Sequence, residues 1–246
     1  MSIQSEEELR QLRAAGMIVR KALDAMAAAV EPGITTAELD AICGRVLADH
    51  GASSAPRKVY NFPGVCCISV NDEAIHGVPG GRSLHEGDLV KLDVTVEKDG
   101  YFADAAVTVR VGDVSATAAA LVHCAESAFR HAMRAAKAGA RVREIGRAVH
   151  CEVRRNGFSI LPEYGGHGVG RTIHEYPHVP NYPDYTNTAR LHAGLVVAVE
   201  PIIAAGTGRS FVDRDGWTVR TADHSLAAHY EHTVVITTGA PMLITA

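Results

Sequence analysis

Two aspartates with ten residues between them, Asp93 and Asp104, lie in "LVKLDVTVEKDGYFADAAVTV" (Leu89 to Val109), which reads as a β-hairpin. Leu89-Val90, Val94 and Val96 mark one arm and Val107 and Val109 the other, with Lys98-Asp99-Gly100 as the turn. A two-residue turn centred on Lys98-Asp99 or Asp99-Gly100 puts both carboxylates on one face, directly opposed or one diagonal step apart. Like charges so placed destabilise a sheet. Solvation is one answer, because Lys91, Asp93, Thr95 and Glu97 alternate with Val90, Leu92, Val94 and Val96 as a water-facing side would. Chemistry is the other. Asp104 sits among Phe102, Ala103, Ala105, Ala106 and Val107, company in which a carboxylate needs a proton or a cation.

The elements that must position these acids repeat along the chain. Ser5 and Glu8 have capping-box spacing, and Leu9, Leu12, Val19, Leu23, Met26 and Val30 follow at helical intervals until Pro32-Gly33. A second helix runs from Thr35 through Leu39, Ile42 and Val46 to Gly51. "EPGITTAELDAICGRVLADHGA" from Glu31 resembles "KAGARVREIGRAVHCEVRRNGF" from Lys137, with Gly33, Glu38 and Gly51 matching Gly139, Glu144 and Gly157 at an offset of 106. The alanine-rich stretch from about Ser115 to Lys137 supplies the matching first helix. "IHGVPG" resembles "GHGVGR", "LHEGDLVKLDV" resembles "LHAGLVVAVEP", and "ADAAVTV" resembles "YEHTVVI". Asp93 thereby aligns with Glu200, and Asp104 with Glu231.

The expected organisation is therefore one domain over 1-246, built from two halves of about 5-112 and 113-246. The fold class is α+β, with a curved antiparallel sheet inside and helices outside. The acids of both halves meet near the pseudo-twofold axis, and four carboxylates in a cavity cannot all stay ionised without cations. His167, flanked by Gly165, Gly166 and Gly168, sits on backbone that allows close approach and is the natural neutral nitrogen ligand. Carboxylates with one imidazole suit two hard-to-borderline divalent ions such as Mn, Fe(II) or Co, whereas structural zinc more often calls for thiolates. The reaction class is metal-assisted hydrolysis.

Bulk properties narrow the alternatives. A chain of 246 residues, 47% hydrophobic and 21% charged, buries one large core or two modest ones. A net charge of −4 gives no basic footprint for nucleic acid. No apolar run reaches transmembrane length and "MSIQSEEELRQLR" is not a signal peptide, so a cytoplasmic protein is expected. Five cysteines without a CxxC pair read as reduced thiols.

"KLDVTVEKDGYFAD", "GGHGVGRTIHE", "VEP" and "HYEHTVVIT", with "CISVNDEAIHGVP" upstream and "DGWTV" downstream, resemble the type I methionine aminopeptidases of the pita-bread fold. The resemblance implies removal of the N-terminal initiator methionine from nascent peptides with a small second residue, by two divalent metal ions per chain (Co, Mn, Fe(II), Zn or Ni). Asp93 would hold one ion, Asp104 and Glu231 would bridge both, and His167 and Glu200 would complete the other. Glu200 would also shuttle the proton, His174 would steady the tetrahedral intermediate, and His76 would contact the scissile amide. Cys67, Phe62 and Trp217 match the methionine pocket, with an exposed loop role as the competing reading for Trp217.

Three departures stand out. Ile173 replaces an aromatic common in the family, Ala105 stands where a small hydroxyl residue is usual, and "APRKVYNFPG" is short enough to leave the reach of Tyr60 open. His85, His192, His229 and His232 lie beside the motifs without an assigned chemistry. A monomer working near the ribosome is expected, with Arg209, Arg214 and Arg220 as a contact patch or simply solvated. The rival readings are an X-Pro aminopeptidase, whose relatives usually carry a further N-terminal domain, and a non-catalytic pita-bread binding protein, usually marked by lost metal ligands.

Overall fold

The computed structural model describes all residues, 1–246. Helix α1 (Glu6–Ala29) starts where the Ser5 hydroxyl accepts from the Glu8 amide at 3.2 Å, with three glutamates in its first turn favouring the positive end of the helix dipole. It buries Leu12, Ile18, Val19, Leu23 and Met26 along one stripe. Helix α2 (Thr36–Asp49) carries a complete capping box between Thr35 and Glu38. A short helix that the sequence pattern does not announce, α3 (Ala55–Tyr60), is capped by Ser54 and ends at Asn61 in the left-handed conformation. Helices α4 (Ala116–Ala135) and α5 (Val142–Arg155) occupy the alanine-rich stretch and the segment after Gly139.

Every strand pairing in the main nine-stranded sheet is antiparallel. Its path runs through Ser53–Ser54, Leu89–Lys98, Tyr101–Arg110, Glu231–Val235, Val196–Val199, Gly165–Gly168 and Glu175–Pro180. Cys67–Val70 joins beside Leu89–Lys98, and Met242–Leu243 beside Glu231–Val235. One apolar cluster joins Val19, Leu23, Met26 and Leu39 of α1 and α2 to Val90, Leu92 and Val94 of the sheet. A second joins Leu121, Phe129, Ile145 and Val149 of α4 and α5 to Val197, Val199 and Val234. No helix is long and apolar enough to cross a membrane. All five cysteines are free, the adjacent Cys66 and Cys67 included.

In the hairpin, Lys98 pairs with Tyr101, so the turn is Asp99-Gly100 with both residues at positive φ. Thr95 faces Asp104 and Asp93 faces Ala106, which sets the two carboxylates one diagonal step apart. The polar side of this strand is not a solvated face. Lys91 is only 1% exposed, its ammonium donating to the Asn71 carbonyl at 2.8 Å, and Thr95 and Glu97 are buried. The second arm meets Glu231–Val235 through just two ladder pairs, Glu231 with Ala106 and His232 with Ala105. Two threonines clasp the seam on either side. Thr233 accepts from the Asp104 amide and donates to the Asp104 carbonyl, both at 2.8 Å. Thr108 does the same for His229, at 2.9 and 2.8 Å.

Candidate functional site

Strands from distant parts of the chain converge on one cavity. Asp93 and Asp104 come from the hairpin, His167 from the Gly165–Gly168 strand, Glu200 from the residue after Val196–Val199, and Glu231 from the start of Glu231–Val235. The glycines around His167 are there for packing. A Cβ on Gly166 would lie 2.2 Å from the Ala198 carbonyl oxygen, and one on Gly168 would lie 2.4 Å from that of Tyr176. Only glycine lets those backbones close to this distance. The His167 Nδ1 lies 2.9 Å from the Gly168 carbonyl, a contact that requires Nδ1–H as the donor. The other ring nitrogen, Nε2, stands 3.5 Å from Glu200 Oε1.

The cluster is starved of partners. Asp104 and Glu231 are 6% and 2% exposed, and Asp104 Oδ1 and Glu231 Oε1 meet no hydrogen-bond donor. Burial, then the charge of Asp104, pushes Asp93 up to about 8. Burial, then Glu200, pushes Asp104 up to about 8. Glu231 is driven well above the carboxylate range by burial, then by Asp104 and Glu200. Burial would raise Glu200 as well, but the facing rings of His229, His167 and His76 outweigh it and hold the acid low. Without cations such a site must take up protons.

The donor set fits divalent ions. Ligand atoms of Asp104, His167 and Glu231 lie within 4.8 Å of one another, as do those of Glu200, His229 and Glu231. Asp93 lines the same cavity without joining either group of three. Oxygen-rich sites with imidazole suit borderline first-row metals.

His76 follows the Glu73–Ile75 strand at φ 56 and opens into the cavity. His174 packs edge-on against His167 with ring centroids 4.3 Å apart. Its Nδ1 lies 2.5 Å from the Tyr60 hydroxyl, so α3 does carry Tyr60 to the site. Phe62 and Trp217 meet edge to face at 5.2 Å and form the apolar wall with Cys67 and Ile173. Trp217 is held there rather than left in an exposed loop. Asp215 accepts from its amide and from that of Thr218, both at 2.8 Å.

Three expectations change. Ala105 is fully buried in the helix-facing core, on the opposite side of its strand from Asp104, so its missing hydroxyl does not touch the acids. Arg220 is spent internally on Asp72, Glu73 and Asp213 at 3.0, 2.8 and 2.6 Å, and does not form a surface patch with Arg209 and Arg214. His229, left without a chemistry by the motifs, lines the cavity, whereas His85, His192 and His232 lie outside it. The signal for His229 was available: it stands two residues before Glu231, on the same side of an extended chain.

The model of metallopeptidase family M24 matches residues 10–238. Methionine aminopeptidase 2 of Bacillus subtilis is 42% identical over 100% of this chain and 99% of its own. The crystal structure of methionine aminopeptidase from Rickettsia prowazekii superposes with a TM-score of 0.95 at 34% identity, covering 100% of both chains. Prolidase from Pyrococcus furiosus shares the fold at a TM-score of 0.80 and 23% identity, but only 65% of that chain is covered.

Proposed function

The chain belongs to metallopeptidase family M24, and from that premise we propose that it is a pita-bread, metal-dependent hydrolase that removes the initiator methionine from nascent polypeptides. The observation that carries the reading is the pair of buried donor groups, Asp104/His167/Glu231 and Glu200/His229/Glu231, in a cavity that also carries an apolar wall. We assign Asp93, Asp104, His167, Glu200 and Glu231 to holding two divalent ions. Such ions supply a water activated at neutral pH and polarise the scissile carbonyl.

The chain's own groups do the rest. Glu200, the acid held low among three imidazoles, is placed to take a proton from the attacking water and return it to the leaving amine. Partial burial in the cavity wall, then His167, hold His174 down in the neutral form. With Nδ1 accepting from Tyr60, the Nε2–H of His174 is left to donate to the oxyanion that develops at the scissile carbonyl. His76, which lines the same cavity, contacts the scissile amide. Phe62, Trp217, Cys67 and Ile173 receive the methionine side chain, apolar surface against an apolar, polarisable thioether. Preference for a small second residue, action at the ribosome in the cytoplasm, and a monomeric state are parts of the same proposal.

The test is hydrolysis of Met-Ala-Ser, Met-Leu-Ser, Leu-Ala-Ser and Ala-Pro-Ala after chelation and readdition of Mn, Fe(II) or Co. Methionine released only with metal, and far better from Met-Ala-Ser than from the other three, is the expected result. Cleavage of Ala-Pro-Ala instead would move the chain to the X-Pro branch of the fold. A folded protein silent with every metal would leave a binding module. Cosedimentation with ribosomes and gel filtration check the remaining parts.

A further inference from the structure

His229 has a buried imidazole, 2% exposed, and neither ring nitrogen meets a hydrogen-bond partner. Its Nε2 stands 3.6 Å from Glu200 Oε2 and 3.6 Å from Glu231 Oε2. That is too long for an N–H···O bond. It is, however, the spacing of groups that share an ion. Two ligand atoms each about 2.1 Å from one cation stand about 3.0 Å apart across a right angle and about 3.6 Å apart across 120°. His167 Nε2 keeps the same kind of distance, 3.5 Å, from the other oxygen of Glu200. Glu200 thus has an imidazole nitrogen beside each of its carboxylate oxygens.

The backbone fixes where His229 points. Thr108 holds both its amide and its carbonyl, and its ladder partner is Ile202, two residues beyond Glu200. A ring anchored this firmly, with no partner in reach except two carboxylates beyond bonding distance, is preorganised for something that fits between them.

We propose that His229 is a sixth protein ligand, a second imidazole that joins Glu200 and Glu231 on one of the divalent ions. This rests on the metal reading above and extends it to metal preference. One imidazole among four carboxylates favours oxygen-loving ions, and a second one shifts the order toward Zn, Co and Ni over Mn and Mg. The choice of metal is then set in part by the residue two places before Glu231.

The metal-free full chain, loaded to saturation with Zn(II), tests this by X-ray absorption at the zinc edge. Two ligated histidines per chain are expected in the wild type, and one in either His229→Gln or His167→Gln. Competition titration of His229→Gln should show at least a roughly tenfold loss of zinc affinity at one position, and a smaller loss for Mn. His229→Cys adds a positive signature: loaded with Co(II), it should show a thiolate-to-cobalt charge-transfer band that the wild type lacks, because only a side chain touching the ion gives one. Circular dichroism confirms that each variant is folded. A single ligated histidine in the wild type, unchanged zinc affinity in His229→Gln and no new band in His229→Cys would overturn the assignment while leaving the metal site standing. Absence of stoichiometric zinc from the wild type would overturn both.

Discussion

Replacing Asp104 by Asn should make the metal-free protein resist rising pH better than the wild type. In the folded, metal-free chain Asp104 keeps its proton up to about 8, whereas the unfolded chain releases it near the ordinary 3.8. The native state therefore binds the extra proton between those values. Stability is fully present below about pH 4 and is lost as pH rises toward 8. One retained proton gives a slope of about 1.4 kcal/mol per pH unit, or about 3 kcal/mol between pH 5 and 7. For a chain of this size that is roughly 5–10 °C in melting temperature. Asparagine mimics the protonated acid and does not titrate. Groups away from the cluster, such as His232, which burial holds down to about 4, cancel in the difference, whereas Asp93 and Glu231, no longer pushed up by the Asp104 charge, add to it in the same direction. Calorimetry of chelated wild type and Asp104→Asn at pH 5, 6, 7 and 8 measures it. The wild type should fall relative to the variant by the amount above, and saturating Mn or Co should reverse the sign by holding the carboxylate ionised. Parallel curves for the two metal-free proteins would refute the reasoning, because the carboxylate would then be no more reluctant to ionise folded than unfolded.

Other perturbations separate chemistry from packing. Asp104→Ala or Glu231→Ala should lower kcat/KM by at least about a thousandfold while circular dichroism and the cooperative melt persist; a variant that keeps its rate would undo the bridging assignment. Trp217→Ala should raise KM for Met-Ala-Ser about tenfold or more, since it removes half of the Phe62–Trp217 wall; a change confined to melting temperature would put Trp217 in the core instead. Gly166→Ala drives a methyl to 2.2 Å from the Ala198 carbonyl and should cost about 3 kcal/mol or more along with metal affinity, measured by urea unfolding and zinc titration. An unchanged midpoint would mean the strands beside His167 can part freely.

Much of this site could be read in the residues because it is built on strands. A hairpin with a turn of fixed length determines register, and the Asp99-Gly100 turn put Asp93 and Asp104 a diagonal step apart, as one of the two expected turns requires. Helices α1 and α2 announced themselves by their apolar spacing and their caps, and α4 and α5 by the match of their segments to those two. What stayed hidden depends on contacts between distant segments. Whether Lys91 faces water or protein is decided by the Asn71 turn, twenty residues away. Tyr60 reaches His174 across 114 residues because α3 turns the chain back, and a six-residue helix leaves too little periodicity to see. Ala105 looked like a defect because its neighbour in sequence is a proposed ligand, yet alternation along a strand sends adjacent residues to opposite faces. His229 was left without a chemistry for the converse reason: it stands two residues before Glu231, and the same alternation puts both on one side of the chain.

The seam between Tyr101–Arg110 and Glu231–Val235 has only two ladder pairs and its two threonine clasps. Asp93 and Asp104 lie on one bank of it, and His167, Glu200 and Glu231 on the other. An ion gripped from both banks is a cross-link between segments far apart in sequence. By mass action its binding free energy is added to whatever holds the banks together. A metal-free chain has only those ladder pairs and threonine clasps to hold the seam, so supply of the ion would bear on how long the protein lasts as well as on how fast it works.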